Sequence, residues 1–411
     1  MTILRSLSVL GTTLLLVLPA AGSADAVLEW NEVTLARIVA AGQRPPMGAR
    51  TLAMVHVAIF DAVVASAASQ RRYAPYVFRG PAPASASPEA AAAAAARTVL
   101  ARLFPEQLEA IGAAYAAALA GVPEGAARAA GIALGEAAGA ACLELRDGDG
   151  SAALESYRPR TLPGVYVPTT LPVFSQWPLV EPFFLESGAQ FRPGPPPALG
   201  SEIWTRDYAE VKSLGARASA TRTAAQTEAA HFWTITGPVA WNPVVRALAT
   251  SRPGSLVENA RLFALANLAA ADAFVAIFDA KYTYEFWRPI TAIRNGDKDG
   301  NDATAPDPGW VPLVDTPLHP EYPCAHCISA GAVAEVLESA FGRGEVAPIE
   351  MTSATAPGVT HRWTRIGDWV REVDQARIWG GIHYRNSTEV GEAMGRRIGA
   401  LAVAKLLRPT P

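Results

Sequence analysis

The stretch from about Ser255 to Tyr284 is the longest helical segment of the sequence, and it runs straight into Glu285-Phe-Trp-Arg-Pro. Its interior, FALANLAAADAFVAIFDA from Phe263, is the most apolar part of the chain beyond the N-terminus, yet it contains Asp272 and Asp279. Two carboxylates argue against a bilayer span, so the expectation is a helix packed inside protein. Other segments carry helical punctuation as well. Asn31 to Ser66 has apolar residues at helical spacing, and SPEAAAAAAARTVLARLF opens on Ser87 and Pro88, an N-cap and first-turn pair ahead of strong helix formers. Further helices are expected at about Glu106–Leu119, Glu124–Arg146, Cys327–Phe341, Arg365–Trp379 and Thr388–Leu407. Candidate strands are few and no long period repeats, so the chain reads as all-α.

Residues 151–200 interrupt this pattern with prolines, as in SYRPRTLPGVYVPTTLPVFSQWPLVEPFF. The prolines exclude regular helix, and the Trp, Phe, Val and Leu among them demand burial. A connection wrapped onto the helices is the expectation, within a single large helical region at 27–408. At the N-terminus, Arg5, an apolar run from Leu7 to Leu18 and the small residues of PAAGSADA have the form of a secretory signal peptide over 1–24. An exported protein, periplasmic or extracellular and without an integral membrane segment, follows from that reading. The 35 Lys and Arg nearly balance 38 Asp and Glu, with no basic run, so a nucleic-acid partner gains no support.

Chemistry gathers in three short segments of the last third. Lys281 and Arg288 are seven residues apart, about two helical turns, and would share a face if the helix ran on to Pro289. EYPCAHCISA, from Glu321, puts Pro323 ahead of a helix start. The amides of Ala325, His326 and Cys327 therefore lack intrahelical acceptors and can face an anion. His326 could move a proton there, although a lone histidine at a helix start is more often satisfied by a carbonyl. Arg377 and His383 are six residues apart, about 600° on an ideal helix, so both reach one centre only if Gly380-Gly381 breaks it.

Together the segments resemble the signature of the vanadium-dependent haloperoxidases and the type 2 phosphatidic acid phosphatase superfamily. That signature is Lys, six residues, Arg-Pro; then Pro-Ser-Gly-His; then Ser-Arg, five residues, His. Here it is carried by Lys281 to Arg288-Pro289, Pro323-Cys324-Ala325-His326 and Ala376-Arg377 to His383. The surrounding LANLAAADAFVAIFDAKYTYEFWRPITAIRNGD is similar to the bacterial haloperoxidase-like branch. The resemblance implies helical bundles with the oxyanion site in about 229–408. It further implies vanadate held by Lys281, Arg288, Arg377, Cys324 and Ala325, His383 as the metal ligand and His326 as the acid-base group. Hydrogen peroxide and halide would be the substrates and hypohalous acid the product. His319 stands where some bromoperoxidases carry a halide-tuning histidine, and His56, His231 and His361 read as structural. The alternatives are an exported acid phosphatase acting on phosphomonoesters, with His383 as nucleophile, and an oxyanion-binding relative of low turnover.

The chain departs from the signature at four positions. Cys324 replaces Ser and Ala325 replaces Gly; Ala376 replaces the Ser before Arg377, and Ser387 stands where the phosphatases carry the Asp that orients the histidine. An accessible thiolate beside peroxide chemistry would oxidise, which predicts that Cys324 is bridged. Cys142 and Cys327 are both open as its partner. Scattered histidines without HExxH or a second CxxC disfavour zinc and iron, and CxxC without a βαβ context is no thioredoxin motif.

Overall fold

The computed structural model describes residues 25–66, 73–80, 85–252 and 254–410. The signal-peptide expectation lies outside the described residues. Thirteen α-helices are present among those described, with one antiparallel pair of strands, Ile349–Ser353 and Ala356–Trp363, in register Ile349 with Trp363. The all-α expectation stands, with this hairpin as its exception.

The helices start where local chemistry directs. Ser255 accepts from the amide of Glu258, whose carboxylate reaches back to the Ser255 amide, so helix Leu256–Tyr284 opens on a capping box. Ser87 caps Pro88–Leu103 in the same manner, accepting from Ala90. Pro88–Leu103 packs on Ala126–Leu145 and Pro45–Ser66, forming one group of helices. A second group consists of Leu256–Tyr284, Ala325–Phe341, Ile366–Trp379 and Arg385–Lys405. Pro45–Ser66 lies along Leu256–Tyr284 and joins the two, so one continuous apolar core includes residues from both. These two long helices are apolar enough to cross a membrane, but nearly all of their side chains are buried by neighbouring protein.

The proline-rich passage has no α-helix. It lies against the central helix, with Trp177, Phe184 and Leu185 buried. Asp272 is what fastens it. Its carboxylate accepts from the amides of Phe183 (2.7 Å), Phe184 (2.8 Å) and Leu185 (3.0 Å), while Asp279 forms a bidentate pair with Arg192. The two acidic residues that argued against a bilayer are therefore the anchors of the wrapping segment. His56 is structural, stacked on Phe263 at 5.1 Å and bonded to Asn31, and burial pushes its pKa down to about 3. His361, bonded to Glu372, pins the second strand to helix Ile366–Trp379, and His231 is exposed on a separate helix.

Asp272→Ala would strand three amides in a buried setting, at a cost on the order of 3 kcal/mol or more. Urea denaturation should show that loss as a lower midpoint. A midpoint within experimental error of the native chain would contradict the anchoring role.

Candidate functional site

Helix Leu256–Tyr284 ends at Tyr284, and Glu285 caps it in the left-handed region with φ 49°. Arg288 is then the N-cap residue of the short helix Pro289–Arg294, with Pro289 in its first turn. Lys281 and Arg288 therefore do not share a helix face, as the spacing had suggested. The chain reverses between them, which removes the conflict with Pro289 and still brings both cations inward. Gly380 and Gly381 do make the break expected of them. Helix Ile366–Trp379 ends there, and Gly381, with φ 78°, packs so closely on the Gly215 carbonyl that a Cβ would sit 2.3 Å from its oxygen.

These turns converge on Lys281, Arg288, His319, Glu321 and His383, with Arg377 and His326 at the edge of the same cavity. Lys281 is fully buried and donates to the carbonyls of Pro320 (2.9 Å) and Glu321 (2.7 Å). Arg288 donates to the carbonyls of His319 (2.9 Å) and Ile382 (2.8 Å), to His383 Nε2 (3.2 Å) and to His319 Nδ1 (3.0 Å). Arg377 donates to the Trp233 carbonyl, and its Nε has no partner among the described residues. The indole of Trp233 is in turn held by Glu372 at 2.9 Å. Three buried cations thus surround His383, and Lys281 and Arg288 also act on the one buried carboxyl beside it, Glu321.

Glu321 is the residue that sequence reasoning missed. Its Oε1 lies 2.6 Å from His383 Nδ1 and also accepts from the Tyr384 amide at 3.1 Å. An arginine can only donate, so the contact from Arg288 makes Nε2 of His383 an acceptor and places the ring proton on Nδ1, facing Glu321. The orienting task that Ser387 cannot perform is therefore done from a different segment, since Ser387 Oγ is 3.4 Å from Nδ1. Only its nearness to His319 and His326 marked Glu321 in the sequence, because a pairing across 62 residues leaves no spacing signal.

Burial dominates the electrostatics of the site. Burial drives Lys281 well below its ordinary range, with Arg288 adding repulsion; it lowers Arg288 to about 10 and, with Arg288 beside it, Arg377 to about 9. His319, His326 and His383 are all held well below the usual imidazole value, first by burial and then by neighbouring cations. Burial lifts Glu321 to about 7 against the pull of Arg288 and Lys281. The site is short of negative charge, and an anion bound there would favour the charged form of every cation.

EYPCAHCISA forms the floor. Cys324 and Cys327 are bridged, and the Cys324 sulfur accepts from the Cys327 amide at 3.3 Å, acting as N-cap for Ala325–Phe341. The sulfur supplies no donor to an anion, so Cys324 does not replace the Ser of the resembled signature in that respect. The amides of Ala325 and His326 have no acceptor among the described residues. His326 Nε2 lies 3.0 Å from the Ile235 carbonyl, the arrangement usual for a histidine at a helix start, and its Nδ1 is left as the acceptor of the neutral ring. Gly391 lets helix Arg385–Lys405 close on this floor, since a Cβ there would come within 2.7 Å of the Cys324 carbonyl. His319 stacks edge-on to Phe278 at 5.3 Å and completes the wall.

Cys142 is free, buried on the distant helix Ala126–Leu145, with its thiol pushed up to about 12 by burial. Alkylation under denaturing, non-reducing conditions should therefore label one cysteine per chain, and reduction should expose two more. Three labelled cysteines before reduction would contradict the bridge.

Residues 261–410 match the family model of the VCPO second helical-bundle domain. The vanadium chloroperoxidase of Curvularia inaequalis is 28% identical over an alignment of 187 residues, which takes in 38% of this chain and 30% of that protein. The match therefore spans less than a third of that relative's length. Among solved structures, a bacterial vanadium-dependent iodoperoxidase superimposes with a TM-score of 0.77 at 24% identity, covering 94% of this chain and 97% of its own. A holo-type bacterial vanadium-dependent chloroperoxidase gives 0.69 at 17% identity, covering 88% and 92%. The fold is shared throughout, and the C-terminal bundle carries the family resemblance.

Proposed function

With its C-terminal bundle matched to that domain and its fold shared with vanadium haloperoxidases, we propose that this chain is a vanadate-dependent haloperoxidase-like enzyme that uses hydrogen peroxide to oxidise halide to hypohalous acid. One observation carries the reading: Lys281, Arg288 and Arg377 are buried within electrostatic reach of one histidine, His383, whose Nε2 is unprotonated and whose Nδ1 faces Glu321. Such a set is costly empty and suits a multiply charged tetrahedral oxyanion. The residues fit vanadate. Among the described residues Arg377 Nε and the amides of Ala325 and His326 are donors without an acceptor, and His383 Nε2 would be the ligand atom.

Vanadate, when bound, supplies the electrophilic centre at which peroxide oxygen is passed to halide. The chain's own part is positional and protonic. Lys281, Arg288 and Arg377 neutralise the oxyanion, and Glu321 holds the His383 ring with Nε2 forward. His326, neutral and tethered through Nε2 to Ile235, has Nδ1 available to take a proton from peroxide. His319 Nδ1 is engaged by Arg288 at 3.0 Å and by the Pro320 carbonyl at 3.1 Å, which holds the ring in the cavity wall where a halide would bind. Export, read from residues 1–24, is part of the same proposal, and a disulfide suits an oxidising compartment.

The Glu321–His383 pair also favours a second reading. A carboxylate-oriented histidine with an unprotonated Nε2 is what a phosphomonoester hydrolase needs in its nucleophile, with the same cations stabilising the transition state. The two activities are separable. Metal-stripped protein is to be assayed for peroxide-dependent bromide oxidation with and without vanadate, and for hydrolysis of a generic phosphomonoester. Vanadate should restore bromide oxidation, His383→Ala should abolish it, and Glu321→Gln should lower it about tenfold to a hundredfold. Hydrolysis inhibited by vanadate, without bromide oxidation, would replace the proposal by the phosphatase. Vanadate binding with neither activity would replace it by a low-turnover oxyanion binder.

A further inference from the structure

Two groups at the edge of the cavity are held in the same way. Arg377 donates to the Trp233 carbonyl, and the His326 ring donates through Nε2 to the Ile235 carbonyl at 3.0 Å. A guanidinium on a long stem and an imidazole free to rotate take their direction from the acceptors they meet. Here both acceptors lie on one strap, residues 231–235, which closes helix Ala224–Phe232 and continues into the cavity wall at Thr234 and Thr236. Whatever fixes that strap therefore aims both groups.

The hairpin of strands Ile349–Ser353 and Ala356–Trp363 does so from both of its ends. Its pairing is regular as far as Thr352 with Thr360 and then slips, so that Ser353 pairs with Ala356. Such a slip re-aims the side chains beside it. Ser353 Oγ donates to the Phe232 carbonyl at 2.7 Å, while Thr355 Oγ1 donates to the His231 carbonyl at 2.8 Å and accepts from the Ile235 amide at 3.1 Å. Thr355 is exposed, where water would satisfy its hydroxyl, yet that hydroxyl is turned onto the strap. At the other end the His361 ring stacks on Phe232 at 4.1 Å. Glu372 then accepts from His361, from the Trp363 indole (3.0 Å) and from the Trp233 indole (2.9 Å). His231, Phe232, Trp233 and Ile235 are each tied to the hairpin or to Glu372.

We propose that this hairpin is the positioning element of the oxyanion site. Ser353, Thr355 and Glu372 fix residues 231–235, and the carbonyls of Trp233 and Ile235 then aim Arg377 at the oxyanion and hold His326 with Nδ1 free. None of the three positioning residues lines the cavity, so their effect passes through the strap. Arg377 depends on that support because its Nε has no partner among the described residues and Arg288 repels it. A guanidinium already aimed loses less freedom when the anion binds, and affinity rises accordingly. The inference rests on the reading of Arg377 and His326 as oxyanion-site groups, and it holds for a peroxidase and for a phosphatase alike.

Orthovanadate titrated into the full-length, metal-free protein measures the aim of Arg377 without turnover. Thr355→Val, which keeps the shape of the side chain and removes its hydroxyl, should weaken binding about tenfold, and Thr355→Ser should restore it to within about twofold. In an Arg377→Ala background Thr355→Val should weaken it no more than about twofold, since the strap then has no guanidinium to aim. Ring nitrogen NMR shifts, assigned to His326 by their loss in His326→Gln, should show Nε2–H alone in the native chain and a mixture of tautomers in Thr355→Val. Equal vanadate affinity in Thr355→Val, a loss that Thr355→Ser does not rescue, the full loss repeated in the Arg377→Ala background, or an unchanged His326 tautomer would overturn the inference. The expected pattern in a protein that oxidises no bromide would uphold the positioning role and reject the haloperoxidase reading alone.

Discussion

The hydrogen bond between Glu321 and His383 is the contact on which the site's chemistry depends. It holds the ring proton of His383 on Nδ1, and it sets a buried carboxyl within reach of Lys281 and Arg288. Without Glu321, the buried cations would have only carbonyls and neutral imidazoles as partners. With it, they are partly compensated, and the remaining surplus is what favours an incoming oxyanion. Burial first, and neighbouring cations for all but Arg288, push each cation toward its neutral form and keep every histidine in the cavity neutral.

The fold's task is to hold that unfavourable set together. Carbonyls of Pro320, Glu321, His319, Ile382 and Trp233 accept from the cations, so backbone dipoles carry much of the stabilisation. These carbonyls are free because they belong to turns rather than helices. The αL residue Glu285, the Gly380-Gly381 break and the bridged Cys324 cap each stop or start a helix at the point where a carbonyl or amide must face inward. The disulfide takes over the capping work of a serine while withholding its hydroxyl, so the donors left at the cavity are the amides and the cations.

Much of this was legible in the sequence, because helix signals are local. Ser87 with Pro88, Ser255 at the head of the longest helix and the Gly-Gly break each announce a boundary within a few residues, and the structure has a boundary at each. The three motif segments likewise predicted which cations and histidines would meet. What the sequence hid depends on distant partners. Glu321 takes its meaning from His383, and Asp272 from three amides of the proline-rich passage. The hairpin at Ile349–Trp363 was hidden for a related reason, since its strands are short and stand alone in a helical chain. The Lys281–Arg288 spacing misled because periodicity was carried past a helix that stops at Tyr284.

The central claim is that a buried excess of positive charge exists to hold one tetrahedral oxyanion. Its most direct measurement is equilibrium titration of orthovanadate into metal-free protein, for the native chain and for Arg377→Ala. The account predicts saturation at about one vanadate per chain, competition by phosphate, and weakening on the order of a hundredfold when Arg377 is removed. Binding that does not saturate, or that is indifferent to Arg377, would contradict it.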